Sequence, residues 1–532
     1  MYPVGWQSFE EVRKYNAPYV DKTSYIRKLL RTTRYAFLSR PRRFGKSLFI
    51  STLEAFFLGK KELFEGLRIS DTETEWKRYP VLHFDMSRSE CTDPDDLEKY
   101  LNNQLGYYED LFKVPKPSES CSVGLRFGTL LENIHRYNGE QSVILIDEYD
   151  KGIVEVINNA PALTRNQNIL RPFFSQLKTM DSHIRFAFIT GVSRFRHYTL
   201  FSGMNNPDDI SFDPNYAAIC GFTLEEVKQT YEESLKILAK EYETSVEDTT
   251  QRILQKYDGY RFSRSETHVL NPFGLLKAFK ECTLDEYWLM TATSKVFVDF
   301  LKQSTYDLTN LGENWVTKAQ LSALYDTKDP LPLLFQTGYL TISDFDREFG
   351  YKLKIPNGEV RSALLNDLAP MYLGISARES NQYAKQIRKC LEECDLTSFV
   401  RIVDSMIAKV PYPILNVDSN EDAYHLIVYS ICMAIGVNIR CEEPQADGRP
   451  DLIAFTKNYI YIIEFKLDQS AKSALKQIED NEYARPYLTD GRPIYLIGAS
   501  FSSEKRNIKQ WLIQAPDGAV TNIQIKNNPT KK

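Results

Sequence analysis

The sequence has no excess of positive charge and no long apolar run. Its 532 residues carry a net charge of −5, so no overall positive field draws the chain to nucleic acid, and any such contact must be local. The longest apolar stretch, around residues 425–437, is too short to span a bilayer. The first residues lack the basic segment followed by an apolar one that marks a secretory signal. These absences predict a cytoplasmic protein without a membrane partner.

The cysteine pattern does not indicate a zinc site or a disulfide framework. The eight cysteines are scattered along the chain. Cys390 and Cys394 lie four residues apart on an expected helix, but no second pair follows them. We therefore expect reduced, mostly buried thiols. The hydrophobic content of 42% is enough for several buried cores, and the length suggests about three domains.

The clearest N-terminal pattern is a strand, a short loop and Gly45-Lys46-Ser47 at the start of a helix. The strand is predicted over residues 34–39 and the helix over residues 48–58. In a P-loop, backbone N–H groups hold the phosphates, the lysine neutralises the β- and γ-phosphates, and the serine hydroxyl ligates Mg²⁺. The predicted nucleotide-binding residues of this loop are Arg43, Phe44, Gly45, Lys46, Ser47 and Leu48.

Two observations weaken this motif when it is taken alone. Arg40 stands where the usual pattern has a glycine, so the loop must turn with a different backbone conformation. A Gly-Lys-Ser sequence at a helix start can also be an ordinary cap, because serine is favoured there. The motif therefore needs a second element to support it.

Residues 142–148 supply that second element. A continuous apolar run, typical of a central parallel strand, ends in Asp147-Glu148. Asp147 is predicted to hold Mg²⁺ together with Ser47, and Glu148 to be the base that polarises the attacking water. Joined in this order, the two patterns predict a nucleotide site that binds and hydrolyses ATP.

Two further strands extend the α/β pattern. The strand at residues 185–189 ends at Thr190, whose hydroxyl could sense the γ-phosphate or position the water, at the sensor position of additional-strand P-loop ATPases. Arg194 follows and is a candidate charge-stabilising finger, with a solvated surface arginine as the alternative. The strand at residues 81–85 completes a set of parallel strands joined by helices.

Helices dominate the middle of the sequence. Thr223 and Glu226 form a capping box that opens an amphipathic run through about Tyr242. A further helix begins at Ser245 and ends at Asp258-Gly259. A lid that moves with the nucleotide and a passive helical spacer explain this region equally well.

Near the C-terminus, Asp451, Glu464 and Lys466 have the spacing of a metal-dependent nuclease. Glu464 and Lys466 lie two apart in a predicted strand, so both side chains leave the same face. Asp451 reaches that face if residues 452–455 form a strand and residues 456–458 the hairpin turn. The two carboxylates would bind Mg²⁺, which Mn²⁺ can replace, while Lys466 would hold or activate the nucleophile.

Two other residues are candidates for the same centre. Glu421 begins an expected helix and could be a third metal ligand, and Gln477, on the helix after the strands, could face the site. The alternative is an aspartate in a turn beside a solvent-facing Glu-Lys pair. The order of the elements favours the metal site.

The chain resembles a family of bacterial and archaeal proteins that join an AAA-ATPase-like domain to a PD-(D/E)XK nuclease domain. The resemblance covers most of the length. It rests on YVDKT at 19–23, SRPRRFGKS at 39–47, IDEYD at 146–150, TGVS at 190–193, QTGY at 336–339, GRPD at 448–451 and EFK at 464–466. The RPRRFGKS form is usual in that family, so Arg40 no longer argues strongly against nucleotide binding.

These patterns and the resemblance together predict an α/β protein in three parts. Residues 1–220 would form a P-loop, additional-strand, AAA-like α/β domain, residues 221–400 a mainly helical lid or linker domain, and residues 401–532 an α/β restriction-endonuclease-like domain. The expected cofactors are ATP and Mg²⁺, the expected partner is nucleic acid, with DNA favoured, and a homo-oligomer fits this ATPase class. ATP-regulated cleavage and a switch or scaffold that binds without cutting both stay open.

Overall fold

The computed structural model describes residues 1–73, 75–89, 95–117, 121–157, 159–194, 207–288, 315–323, 329–360, 362, 376–407, 438–441, 450–502 and 507–524. The chain divides into two units, Met1–Tyr306 with Leu311–Val360 and Asp307–Asn310 with Arg361–Lys532. Within these described ranges, no helix is both long and apolar enough to cross a lipid bilayer.

A five-stranded parallel sheet is the centre of the first unit. Its strands are β1 (Tyr35–Ser39), β2 (Val81–Asp85), β3 (Ser142–Asp147), β4 (Ile184–Gly191) and β5 (Asp208–Asp209). They lie in the order β2-β3-β4-β1-β5, and every pairing is parallel. Strand β4 thus stands between the strand before the P-loop and the strand that ends in Asp147, which confirms the predicted additional-strand arrangement.

Helices connect and cover these strands. They are α1 (Phe9–Lys14), α2 (Ser24–Thr32), α3 (Lys46–Phe57), α4 (Asp96–Phe112), α5 (Val123–Asn138), α6 (Lys151–Val154), α7 (Ala160–Thr179), α8 (Leu224–Thr230), α9 (Glu232–Glu241), α10 (Val246–Tyr257) and α11 (Pro272–Glu281). Helices α4, α5 and α7 share one buried cluster with the sheet, which includes Leu82, Ile144, Phe127 and Phe173. Each such fully buried side chain stabilises the fold by about 1.5–3 kcal/mol.

The amphipathic run after Thr223 forms two helices. Thr223 and Glu226 make both hydrogen bonds of the predicted capping box at the start of α8. The helix breaks at Tyr231, where φ is −123°, and the buried tyrosine ring packs 5.5 Å from that of Phe279. Helix α10 has Ser245 as its N-cap, as predicted. Tyr231 is buried at this break, which a helical period alone does not reveal.

The first unit also contains a small mixed module, defined here as residues 315–323 and 329–354. Its elements are β6 (Trp315–Val316), α12 (Lys318–Leu321), α13 (Leu331–Thr337), β7 (Thr341–Asp346) and β8 (Gly350–Lys354). The strands form an antiparallel sheet in the order β6-β8-β7. The sequence predicts mainly helices to about Leu334 and does not predict this sheet, whose strands are short.

The second unit is built on a six-stranded mixed sheet. Its elements are α14 (Ala377–Glu392), α15 (Leu396–Ile407), β9 (Asn438–Cys441), β10 (Leu452–Phe455), β11 (Ile460–Leu467), α16 (Ala471–Asp480), β12 (Ile494–Ser502), β13 (Asn507–Gln514) and β14 (Val520–Gln524). The order is β14-β13-β12-β11-β10-β9. Strands β10 and β11 form the predicted antiparallel hairpin, and β11 pairs with β12 in parallel through the crossover helix α16.

The two faces of this sheet bury different partners. Tyr461 and Ile463 face a cluster with α14 and α15, whereas Ile460 and Ile462 face a cluster with α16. The alternation follows from the two-residue period of a strand. Glu464 and Lys466 continue the second set, so they leave the sheet on the side that carries α16.

A crowded glycine in the module gives a test of the fold. Gly338 has φ of +91°, and a Cβ there would lie 2.8 Å from Pro41 Cβ. We expect Gly338→Ala to lower the free energy of unfolding of the first unit by roughly 2–4 kcal/mol, from left-handed strain and overpacking. Calorimetric unfolding of the full chain measures this change.

Gly139→Ala is the matched control. Gly139 also follows a helix with positive φ, at +74°, but a Cβ there meets nothing within 4 Å. Its replacement should cost only about 1 kcal/mol from backbone strain. Equal losses in the two variants would show that the contact between Gly338 and Pro41 adds nothing to stability.

Candidate functional site

A cavity of about 360 Å³ lies at the N-terminus of α3. Its lining contains every nucleotide-binding candidate of the loop, namely Arg43, Phe44, Gly45, Lys46, Ser47 and Leu48, and also Glu148. Gly45 adopts φ of +92°, which favours glycine, and begins the helix. Three further cationic residues, Lys22, Arg42 and Lys151, line the same space. A helix N-terminus surrounded by excess positive charge fits a polyphosphate.

The amine of Lys46 is held by the loop that it follows. It donates to Arg40 O at 2.9 Å and to Pro41 O at 3.0 Å. Burial lowers the pKa of Lys46, while the charges of Asp147 and Glu148 raise it. The lysine is therefore within electrostatic reach of the acidic strand end, and a bound phosphate would replace loop carbonyls as its acceptor.

The predicted acidic edge of the sheet is assembled in the structure. Thr190 Oγ1 donates to Asp147 Oδ1 at 2.6 Å, and the Glu148 N–H donates to the same oxygen at 3.0 Å. Glu148 has φ of +50°, and burial raises the pKa of its carboxyl, against the charge of Lys46. The structure thus brings Asp147 and Thr190 into contact and places Glu148 on the cavity, where a base for water would be needed.

Arg40, the departure from the usual P-loop pattern, is a buried structural residue. Its guanidinium donates to the carbonyls of Ser39 and Ser211 at 2.9 Å and of Tyr216 at 3.2 Å. The group also lies 4.4 Å from the ring centroid of Phe262, and burial lowers the pKa of Arg40 to about 10. The side chain therefore fixes the loop from behind.

Arg194 is buried away from the cavity. It is 3% exposed and is not among the described residues that line the pocket. Its guanidinium forms an ion pair with Asp209 and donates to Ser322 Oγ at 2.7 Å. In this conformation the arginine contacts protein groups and not the space beside Lys46.

The three nuclease candidates converge at the open end of the β10–β11 hairpin. The Asp451 N–H donates to Glu464 Oε2 at 3.3 Å, and Lys466 Nζ donates to Glu464 Oε1 at 3.2 Å. Asp451 Oδ2 accepts the Phe465 N–H at 2.7 Å. Each residue of the predicted triplet is therefore oriented by another member or by the adjoining strand.

The electrostatics of this cluster suit a divalent cation. Burial and the negative charge of Asp451 raise the pKa of Glu464 to about 7, while Lys466 lowers it. The negative charges of Asp451 and Glu464 repel each other, so a cation ligated by both carboxylates would stabilise their charged forms. In the part of the chain that the structure describes, no group of three or more His, Cys, Asp or Glu residues is placed to hold a metal.

Of the two additional candidates for this centre, Gln477 lies among the described residues. Glu421 lies outside the described residues. Gln477 is on α16, on the same side of the sheet as Glu464, and its Nε2 donates to the Tyr483 hydroxyl at 3.4 Å. Gln477 is thus engaged with the end of its own helix.

Comparison with known proteins matches both ends of the chain. Residues 3–201 match the family model described as "Predicted AAA-ATPase", and residues 419–511 match the PD-(D/E)XK nuclease superfamily. The "Uncharacterized protein in vnfD 5'region" of Azotobacter chroococcum mcd 1 is 33% identical over 524 residues, which cover 96% of this chain and 98% of that protein. The chain belongs to the family that joins an AAA-ATPase-like domain to a PD-(D/E)XK nuclease domain.

A solved structure shows a weaker likeness. The Aeropyrum pernix ORC2 protein, in ADPNP-ADP complexes, is 12% identical, with 63% of this chain and 87% of that chain covered and a TM-score of 0.23. That score is too low to support any statement about this AAA-ATPase-like nuclease family member.

Asp150 belongs to the IDEYD motif, but the sequence alone predicts no role for it. Its buried carboxylate accepts the N–H groups of Val192, at 3.2 Å, and Ser193, at 2.6 Å. A Cβ on Gly191 would lie 2.5 Å from Asp150 Oδ1. The TGVS motif is therefore shaped to fit directly against the IDEYD motif, a relation that spacing along the sequence does not reveal.

The shifted carboxyl of Glu464 predicts how stability depends on pH. Because its pKa is about 7 when folded and 4.5 ordinarily, the folded state binds the proton more tightly. This group's stabilising contribution is present below about pH 4.5 and is lost as the pH rises through about 7. In metal-free buffer, Glu464→Gln should thus stabilise the second unit by about 1–3 kcal/mol near pH 8 and by little near pH 4.5.

Hydrogen-exchange mass spectrometry of peptides from residues 452–467 measures this effect in the full chain. The comparison is between variant and parent at each pH, so that the intrinsic exchange rate cancels. A gain in protection of the same size at both pH values would show that the charge of Glu464 is not its source.

Proposed function

We propose that this protein is an ATP-regulated, divalent-metal-dependent nuclease. The observation that carries the proposal is the convergence of Asp451, Glu464 and Lys466 at one end of the β10–β11 hairpin. The same chain contains a cationic cavity beside an Asp-Glu strand end, at Lys46, Asp147 and Glu148. We propose that the nucleotide state of the first site determines whether the second cuts.

At the nucleotide site, each residue has a distinct role in the proposal. The N–H groups at the start of α3 and the Lys46 amine bind the phosphates, and Ser47 and Asp147 hold Mg²⁺. Glu148 orients the attacking water, and Thr190, which donates to Asp147, keeps that carboxylate aimed at the phosphate end. The apolar part of the cavity, with Val20, Phe273 and Leu276 in its lining, suits the base of ATP.

At the nuclease site, the proposal assigns the two carboxylates to metal binding. A divalent cation held there supplies an acidified water and offsets negative charge on the phosphodiester. Lys466, held at 3.2 Å from Glu464, stabilises the charge that grows on the phosphate oxygens as water forms a bond to phosphorus and the ester oxygen leaves. DNA is the favoured substrate, and residues 401–532 carry as many acidic as basic side chains, which implies few phosphate contacts.

ATP hydrolysis is tested by removing one charge at a time. We expect Glu148→Gln to keep ATP affinity within about threefold while lowering kcat by roughly 100-fold or more, because water loses its base. Lys46→Ala should weaken ATP binding at least about tenfold, because the phosphates lose a charge-assisted hydrogen bond. Phosphate release and calorimetric titration measure the two effects.

Glu132→Gln is the control for charge removal, because Glu132 lies on α5 and pairs with the surface residue Arg136. It should hydrolyse ATP at the parental rate. Unchanged hydrolysis in Glu148→Gln would remove that residue from the mechanism, and a parent that binds ATP without turnover would reduce the first site to a nucleotide-binding switch.

Cleavage is tested with Asp451→Ala and Lys466→Ala. Both should lose cleavage of labelled single-stranded, double-stranded or branched DNA or RNA by about 100-fold or more in Mg²⁺ and ATP, with binding kept within about threefold. Lys476→Ala is the matched control, because Lys476 is a solvent-exposed lysine on α16. Gel assays of cutting and of binding separate the two properties.

The same assays test the alternative function, a nucleotide-dependent scaffold whose C-terminal domain binds nucleic acid or a protein without cutting. A parent protein that binds these substrates and cuts none of them in Mg²⁺ or Mn²⁺ would favour the scaffold. Cleavage in the parent that disappears in both site variants would favour the nuclease.

A further inference from the structure

Arg194 follows β4 and connects the carboxyl end of the parallel sheet to α12 and α13, the two helices of the module. Its N–H donates to Gln336 Oε1 at 3.1 Å, and its guanidinium donates to Ser322 Oγ at 2.7 Å. Gln336 then donates from Nε2 to Leu321 O at 2.9 Å. These buried bonds join the ends of α12 and α13 to the residues just beyond β4.

The guanidinium of Arg194 is fixed by two further contacts. It pairs with Asp209, and the two side chains are only 3% and 10% exposed. It also lies 4.2 Å from the ring centroid of Phe212. A charge held in this way is costly to move, because burial leaves it dependent on its partner. Arg194 is therefore suited to transmit a change in position and not to reach into the cavity.

The segment before Arg194 is fixed to the acidic strand end. Thr190 donates to Asp147, and the N–H groups of Val192 and Ser193 donate to Asp150. The Tyr149 hydroxyl also donates to Ser193 O at 3.0 Å. Direct hydrogen bonds therefore tie the acidic strand end to residues 190–193, and Ser193 is joined to Arg194 through the backbone.

A second connection reaches the module from the P-loop. Pro41 O accepts a hydrogen bond from the Lys46 amine at 3.0 Å. Gly338 packs closely against the same proline, because a Cβ added to Gly338 would lie 2.8 Å from Pro41 Cβ. A phosphate bound to the Lys46 amine would compete with the carbonyl of Pro41, the residue against which the end of α13 packs. The module thus touches the nucleotide site through two separate routes.

We infer that Arg194 is a positioning residue that couples the nucleotide state to the attachment of the module. It holds residues 190–193 against α12 and α13, so the geometry of Asp147 and Glu148 and the docking of the module change together. This inference rests on the proposed nucleotide site and names the element of the protein through which that site is regulated.

Gln336→Met tests the inference, because methionine keeps the size of the side chain and loses its three hydrogen bonds. Gln336 is not one of the described residues that line the cavity. We expect the KM for ATP to stay within about twofold while kcat falls roughly tenfold, because only the alignment of the hydrolytic groups is lost. Steady-state phosphate release by the full chain gives both constants.

Thr341→Val is the matched control. Thr341 is also a buried residue of the module, and its hydroxyl accepts the Arg261 N–H at 2.7 Å and donates to Arg261 O at 2.9 Å. The substitution removes buried hydrogen bonds of the module without touching Arg194, so a purely structural effect would appear in both variants. Equal kinetics in the two would overturn the inference and leave the proposed ATPase standing, whereas a parent that binds no nucleotide would overturn both.

Hydrogen exchange in the parent gives a test that needs no variant. Residues 331–337 should change their protection by severalfold between a non-hydrolysable ATP analogue and ADP, while an element remote from Arg194, such as α5, should not. Unchanged protection of residues 331–337 in a protein that binds both nucleotides would also overturn the inference.

Discussion

The shape of the P-loop in the first unit depends on the buried positive charge of Arg40. Its guanidinium donates to three backbone carbonyls and lies over the face of Phe262, and so ties the strand before the P-loop to the chain after β5. A buried charge stripped of such partners costs several kcal/mol. The loop therefore holds its shape where other P-loops use the freedom of a glycine, and Arg40 O can serve as an acceptor for Lys46.

The two candidate sites carry net charges of opposite sign. The cavity at α3 gathers lysines and arginines around Glu148, whereas the hairpin of the second unit places Asp451 beside Glu464 with Lys466 as the nearby cation. Each arrangement is unfavourable for folding by itself, since like charges repel in a medium of low polarity. The first suits a polyanion and the second a cation, the two components that phosphate chemistry requires.

Sequence patterns predicted the parts of this structure that depend on near neighbours. The β10–β11 hairpin, the strand ending at Asp147 and the cap at Thr223 follow from spacing over a few residues. The roles of Arg40 and Arg194 could not be predicted from such spacing. Arg40 bonds to Tyr216, 176 residues away, and Arg194 bonds to Gln336, 142 residues away. The break at Tyr231 and the sheet of the module depend on burial, which no periodicity encodes.

The hairpin of the second unit has a consequence for the order in which the protein acquires its chemistry. Asp451 and Phe465 are bonded across only 14 residues of sequence, whereas Asp147 and Thr190 meet across 43. Contacts of short range form at a lower entropic cost and therefore sooner. When the full-length chain refolds, the acidic pair can assemble as soon as its hairpin closes, while the nucleotide site must await strands brought together from distant parts of the chain.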